Sequence, residues 1–313
     1  MEFLAPYWNF LLVHPILSLL VGAYDLTKDF GLAVVLVTVG IRLVLYPLFV
    51  TQIRNQRSMQ EIAPAMNELK AKYGKDRERL TQEQMKLYKE RGYNPAMGCL
   101  PLLLQMPLLF AMYAAFLFFV HTPPPNGAEL GAAIWPFLPN PIGPEESLPL
   151  AANWLPWMPL GLGHPDPLHI LPILAGASQL IASVMAQPSV QPKNIDPQQK
   201  MMQNMAYYFP LITVFIAWSL PAGLAIYWVT TTIFQIVQQY FVTGWGQLPR
   251  FVPVLRTLSS PGDRALAIRQ QATIVEARQD MAAIGARPDA ADGPGAQRTR
   301  ESGRERNRRR RKK

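Results

Sequence analysis

Residues 31–50 read GLAVVLVTVGIRLVLYPLFV, twenty positions with a single charged side chain, Arg42. A run of about 20 mostly apolar residues matches the thickness of a bilayer's hydrocarbon core. The stretch therefore predicts a membrane span. An arginine near mid-membrane costs about 2.5–3.5 kcal/mol on insertion scales. No Asp or Glu stands inside this run or in any other long apolar run of the chain to pair with it. Snorkelling toward the cytoplasmic end would relieve part of that cost. A hydrated cavity between helices would relieve more, and would require polar partners on other spans.

Working outward, Met97–Val120, Leu168–Ala186, Met205–Leu220 with its flanks, and Gly223–Val242 meet or approach the same length. Asn204, Tyr207, Tyr208 and Pro210 blur the start of the fourth run. Pro221-Ala222-Gly223 is all that separates it from the fifth, which predicts an antiparallel hairpin of the two helices. Hydrophobic residues make up 50% of the chain and charged ones only 16%, with a mean hydropathy of +0.07. The reading is an all-α polytopic membrane protein with five spans. Cys99 is the lone cysteine, so no intrachain disulfide or Cys-based metal cluster can form, and it reads as a small packing residue.

Charge orients the spans. Arg54 to Arg91 hold ten Lys/Arg against six Asp/Glu, whereas His121–Pro165 holds no Lys or Arg. The excess of basic residues marks the first long loop as cytoplasmic and the Pro-rich loop as external. Lys193 and Lys200 then put the next loop inside, with the basic tail. Phe3–Tyr24 is long enough to span but is interrupted by Pro6, Asn9, His14 and Pro15. We read it as a helix on the outer surface; a sixth span with the N-terminus inside is the alternative. Met1–Tyr24 has no Lys or Arg, so no cleaved leader is expected.

The first cytoplasmic loop reads as a helical hairpin. Met59, Ile62, Met66, Leu69 and Tyr73 form an apolar stripe on a charged helix that Gly74 ends. Thr81 and Gln84 fit a capping box at the start of the second helix, whose apolar side is Leu80, Leu87 and Tyr88. Such a pair packs on itself, and could also dock incoming chains. In the tail, Asp263–Ala283 predicts one helix, and the Gly, Pro and Arg content beyond Arg287 predicts disorder. Arg298–Lys313 holds ten Lys/Arg in sixteen residues, suited either to anionic lipid or to ribosomal RNA.

Candidate partners for Arg42 recur at helical spacing. Thr38 lies one turn before it; Gln179 and Ser183 stack in the third span; Trp228, Thr231, Thr232, Gln235 and Gln239 follow in the fifth. A hydrophilic groove lined by several helices would explain them together, and separate interhelical hydrogen bonds would explain each singly. Gln105 could join them, or only brace the helix between Pro101 and Pro107.

With these stretches in view, the chain resembles the YidC/Oxa family of membrane protein insertases. The matching segments are GLAVVLVTVGIRLVLYPLF (31–49), NPAMGCLPLLLQMPLLFAMY (94–113), HILPILAGASQ (169–179), DPQQKMM (196–202) and LPAGLAIYWVTTTIFQIVQQ (220–239). The resemblance implies a five-span insertase core with a groove open to cytoplasm and lipid. Arg42 and Thr38 match its groove arginine and hydroxyl; Gln179 and Trp228 match groove positions, with Ser183, Thr231 and Gln235 beside them. It also implies a bacterial cytoplasmic membrane location with the C-terminus in the cytoplasm, nascent membrane proteins and the lipid bilayer as partners, and the ribosome and Sec translocon as further ones. Two departures stand out: the large periplasmic domain of Gram-negative members and a lipoprotein cysteine are both missing from this sequence.

The expected divisions are 1–30 for the outer helix, 31–50 for the first span, 51–96 for the hairpin and 97–120 for the second span. The external loop follows at 121–167, the third span at 168–187, a cytoplasmic loop at 188–203, the last two spans at 204–243 and the tail at 244–313. Catalytic residues, cofactor, metal and small-molecule substrate are not expected. Gly176-Ala-Ser178 lacks the second glycine of a serine-hydrolase elbow, no Gly-rich nucleotide loop occurs, and His164, Asp166 and His169 read as loop residues rather than a metal site. An anion transporter would also use Arg42, but the spans show no inverted repeat.

Overall fold

The computed structural model describes residues 5–90, 92, 100–121, 123–187, 197–265 and 267–268. The expectations for Cys99, for the Met59 side chain, for most of the 188–203 loop and for Arg298–Lys313 fall outside the described residues. Among those described, every regular element is a helix. In chain order they are α1 (Ala5–Trp8), a π-helical turn (Asn9–Val13), α2 (His14–Thr27), α3 (Phe30–Val44), α4 (Tyr46–Tyr73), α5 (Arg77–Glu90), α6 (Leu100–Val120) and α7 (Gly127–Ala133). Then come α8 (Ile170–Met185), α9 (Pro197–Ala217), α10 (Ala222–Val242), α11 (Leu248–Phe251) and a 3-10 turn, Pro253–Thr257.

Helix α3 starts where Asp29, in extended conformation, accepts the Leu32 N–H at 2.9 Å, satisfying one of the free amides of the first turn. It stops at Val44, and α4 leaves at 69° to it. Pro47 in the first turn of α4 supplies the reason: it has no N–H to continue the α3 ladder, whereas the first turn of a new helix needs none there. The apolar run 31–50 is thus divided, its last residues opening the long helix α4. Among the described residues, Asn9–Thr27 is the one helix that alone is long and apolar enough to cross a membrane; Phe30–Val44 with Tyr46–Ser58 qualifies as a bent pair. Gln105–Val120, Ile170–Met185 and Asn204–Ala217 are shorter apolar helices.

Two sequence expectations are corrected. Helix α5 begins at Arg77 rather than after Thr81, because Asp76 already caps it by accepting the Arg79 N–H at 3.0 Å. Thr81 lies inside the helix, its hydroxyl donating to the Arg77 carbonyl. The α4–α5 pair does form: Ile62 and Met66 are buried against Leu87 and Tyr88, while Leu69 and Tyr73 are half-exposed. The second correction concerns α9 and α10. They follow one another in the chain, but each packs chiefly on α8 rather than on the other. Gly176 on α8 explains it, since a Cβ there would run into Val214 of α9, and Pro210 lies beside it. A small residue at a helix contact lets the backbones approach closely.

The Pro-rich segment between α6 and α8 is a folded cap. Asp29 accepts the Asn153 N–H at 2.6 Å, the Phe30 N–H donates to Ala151, and Ser18 accepts the Trp135 N–H. Leu130, Ile134, Leu148, Leu155, Met158 and Leu162 bury into the same core as α2, α3 and α6. The N–H groups of Ala222 and Gly223 donate to the His164 and Leu162 carbonyls, so the cap also holds the start of α10.

Replacing Gly176 by Leu should wedge α9 off α8. Overpacking of this kind costs about 1–3 kcal/mol. The expected outcome is a lowered Tm of the detergent-purified chain, larger for Gly176→Leu than for Gly176→Ala; an unchanged Tm for both would contradict the close contact.

Candidate functional site

The helices wear their polarity inside out. On α3 the buried face carries Val34, Val37, Thr38 and Arg42, while Leu32, Leu36, Leu43 and Val44 are exposed. On α9 Leu211, Ile212, Phe215 and Ile216 are exposed, and on α10 Ile233, Val237 and Phe241. Thr213, Thr231, Thr232, Gln238 and Gln239 are buried instead. In water this arrangement forfeits the hydrophobic gain on one side and desolvates polar groups on the other. It is stable where the surroundings are lipid.

Arg42 is only 3% exposed. Its Nη2 donates to Gln105 Oε1 of α6 at 3.4 Å, and Gln105 Nε2 donates to the Tyr227 hydroxyl of α10 at 3.1 Å. Three helices are thereby joined through one guanidinium and one amide. The guanidinium carbon sits 4.1 Å from the centre of the Phe49 ring, in the first turn of α4. Such a contact contributes up to about 2 kcal/mol when desolvated. Arg42 Nε is buried with no hydrogen-bond partner. Among the described residues no carboxylate comes within ion-pair distance of Arg42.

The other predicted residues divide into two sets. Thr38 is buried one turn away, its hydroxyl closed on the Val34 carbonyl at 2.6 Å. Thr231 is buried one turn after Tyr227 on the same side of α10. Gln179 meets α10 separately: its Oε1 lies 3.5 Å from the Thr232 hydroxyl, whose single proton is shared with the nearer Trp228 carbonyl at 2.9 Å. Trp228, Ser183 and Gln235 are half-buried, and no hydrogen bond joins their side chains to Arg42. Sequence reading missed Tyr227 and Phe49. Tyr227 carries a phenol one turn before Thr231 in an apolar helix, which was a legible signal; the role of Phe49 depends on the bend at Leu45. His169 stacks on Trp218 with ring centres 3.9 Å apart, and both Asp166 oxygens accept N–H groups, from Leu168 and Leu171, at the start of α8.

Comparison with known proteins adds the lineage. The 60Kd inner membrane protein family pattern matches residues 22–247. A membrane protein insertase YidC from Alkalihalophilus pseudofirmus is 33% identical over 242 residues, covering 75% of this chain and 81% of that protein. One from Actinobacillus pleuropneumoniae is 35% identical over 236 residues, again 75% of this chain. The present chain spans 37% of the length of that relative. Among solved structures, an active YidC insertase with its first transmembrane domain resolved is similar at 24% identity and a TM-score of 0.45, over 74% of this chain and 46% of the other.

The Arg42–Gln105–Tyr227 chain predicts an order of losses. Tyr227→Phe removes one neutral hydrogen bond, about 0.5–1.5 kcal/mol, whereas Gln105→Leu strips a buried cation of its acceptor, about 1.5–3 kcal/mol. Chemical unfolding of the purified chain should rank them so; equal losses would show that the cation does not depend on the amide.

Proposed function

This chain belongs to the 60Kd inner membrane protein family, and on that footing we propose that it is a membrane protein insertase working through a polar site centred on Arg42. The observation that carries the reading is a buried arginine that, among the described residues, has no carboxylate partner and an unpartnered Nε. A charge left unneutralised in low-dielectric surroundings attracts an opposite charge far more strongly than it would in water. Acidic groups in the outer segment of a nascent membrane protein are its natural ligands. That segment would be drawn among α3, α6, α8 and α10, past Thr38, Gln179, Ser183, Trp228, Thr231 and Gln235. The apolar segment of the substrate would pass into lipid alongside. The barrier falls because polar groups cross a shorter stretch of hydrocarbon, so no nucleotide is needed.

In this reading the five apolar segments cross the bacterial cytoplasmic membrane, with the α4–α5 hairpin and the tail inside. The bend at Leu45 matters to the mechanism. Phe49 covers Arg42 and belongs to the helix that continues into the hairpin, so opening the site requires the first turn of α4 to move. The hairpin stripe of Met59, Ile62, Met66, Leu69 and Tyr73 would receive incoming chains. The ribosome, through Arg298–Lys313, and the Sec translocon are proposed partners.

Reconstitution tests this. Liposomes holding the purified chain should give protease-protected insertion of a single-span substrate with an acidic outer segment. Arg42→Glu should lower the protected fraction at least several-fold, and Phe49→Ala should leave or raise it. Full insertion by Arg42→Glu would end the charge-attraction mechanism; anion flux without insertion would assign the site to transport. Deleting 298–313 should weaken co-sedimentation with ribosomes in a salt-dependent way. Undiminished pelleting would leave the tail to lipid.

A further inference from the structure

Beyond α10 the chain folds into a compact loop that neither the core nor the Arg42 site uses. Gln247 donates its N–H to the Val184 carbonyl at 3.3 Å at the end of α8, and its side-chain oxygen accepts from Tyr207 of α9 at 3.4 Å. Gly246 lies so close to the Met185 and Gln187 carbonyls that no Cβ would fit, and its φ of +54° suits glycine. The Trp245 indole donates to the Leu258 carbonyl at 3.0 Å, and Arg256 Nε to the Pro249 carbonyl at 3.1 Å. The segment is thus tied at its root to three helices and closed on itself by two side chains.

What it displays is the reverse of a solvent loop. Phe251 is 57% exposed, Val254 70% and Leu258 53%, with Val252 beside them. Arg250 and Arg256 lie among these, both exposed. Between Gly244 and Gly262 the sequence contains no Asp or Glu. The patch also continues a surface already described. Ile233, Val237 and Phe241 form an exposed stripe down α10 at four-residue spacing, and it ends in the edge-to-face contacts of Tyr240 with Phe241 and Trp245. Aromatic rings with polar edges collect where hydrocarbon meets headgroups. Apolar side chains beyond such a belt, flanked by arginines, fit the upper acyl region and its anionic headgroups. Two arginines among bulky apolar side chains suit lipid better than RNA, which would leave those side chains in water.

We propose that residues 248–258 form an interfacial foot that inserts Phe251, Val254 and Leu258 into the cytoplasmic leaflet, with Arg250 and Arg256 on anionic phospholipid headgroups. The foot rests on the reading of α10 as a membrane span, and the test separates the two. In a Cys99→Ala background of the full chain, single nitroxides are placed at Val254→Cys and, as a reference, at Val237→Cys on the α10 stripe. The protein is reconstituted into phosphatidylcholine vesicles with and without phosphatidylglycerol, and collisions with oxygen and with a water-soluble nickel chelate are compared. Oxygen should dominate at both positions when phosphatidylglycerol is present. Adding Arg250→Glu with Arg256→Glu should lower the oxygen-to-nickel ratio at 254 several-fold and leave 237 unchanged. Nickel dominating at 254 while oxygen dominates at 237 overturns the foot and leaves the span standing; nickel dominating at 237 overturns both. Shielding of 254 that appears only on adding ribosomes would assign the patch to RNA and reject the lipid assignment.

Discussion

The structure is organised by the problem of holding one guanidinium that is almost wholly buried and, among the described residues, has no carboxylate beside it. Arg42 is on the inward face of α3, and what surrounds it is neutral: a glutamine oxygen at 3.4 Å, an aromatic face at 4.1 Å, and Thr38, whose hydroxyl is already closed on its own helix. Each is a partial answer to desolvation. Gln105 reaches Arg42 with one end and Tyr227 with the other, so it cannot swing away from the cation without also breaking with α10. The same polar contacts that house the charge therefore set the spacing of α3, α6 and α10.

The two ends of this arrangement are held very differently. At the N-terminal end of α3, Asp29 caps the helix with one carboxylate oxygen and binds the cap segment with the other, while His164 and Leu162 hold the start of α10. Phe30 packs edge-on against Phe116 and Phe119 of α6. At its C-terminal end α3 breaks at Leu45, and the next helix departs at a steep angle. The frame is hydrogen-bonded to the cap at one end of α3 and turns a corner at the other, where Phe49 closes over Arg42.

Much of this was legible. Arg42 stood out because a charge in an apolar run has few bland explanations, and the hydrophobic stripe of the hairpin gave Ile62 and Met66 as its contact residues. The break at Leu45 was present in Tyr46-Pro47 but was masked by hydropathy, which runs unchanged through Val50. Thr81 misled because a capping-box pattern says nothing about a stronger cap, Asp76, one turn upstream. The placement of α8 between α9 and α10 came from Gly176, whose lack of a side chain is invisible to periodicity. The cap was beyond reach for another reason: its contacts join residues more than a hundred positions apart, such as Ser18 with Trp135 and Asp29 with Asn153.

The identity of residue 105 sharpens the argument about charge. A glutamate there would reach the same guanidinium with nearly the same shape, and in low dielectric the two opposite charges would bind strongly. The site would be better satisfied and electrically silent. An amide oxygen satisfies one N–H yet leaves the net positive charge intact, and Nε remains without a partner. Asp29 and Asp166 differ, because among the described residues these buried carboxylates are consumed by backbone N–H groups, at helix starts and, for Asp29, in the cap as well. Neutral groups around Arg42 therefore preserve its field, which is the property the proposed insertion mechanism uses.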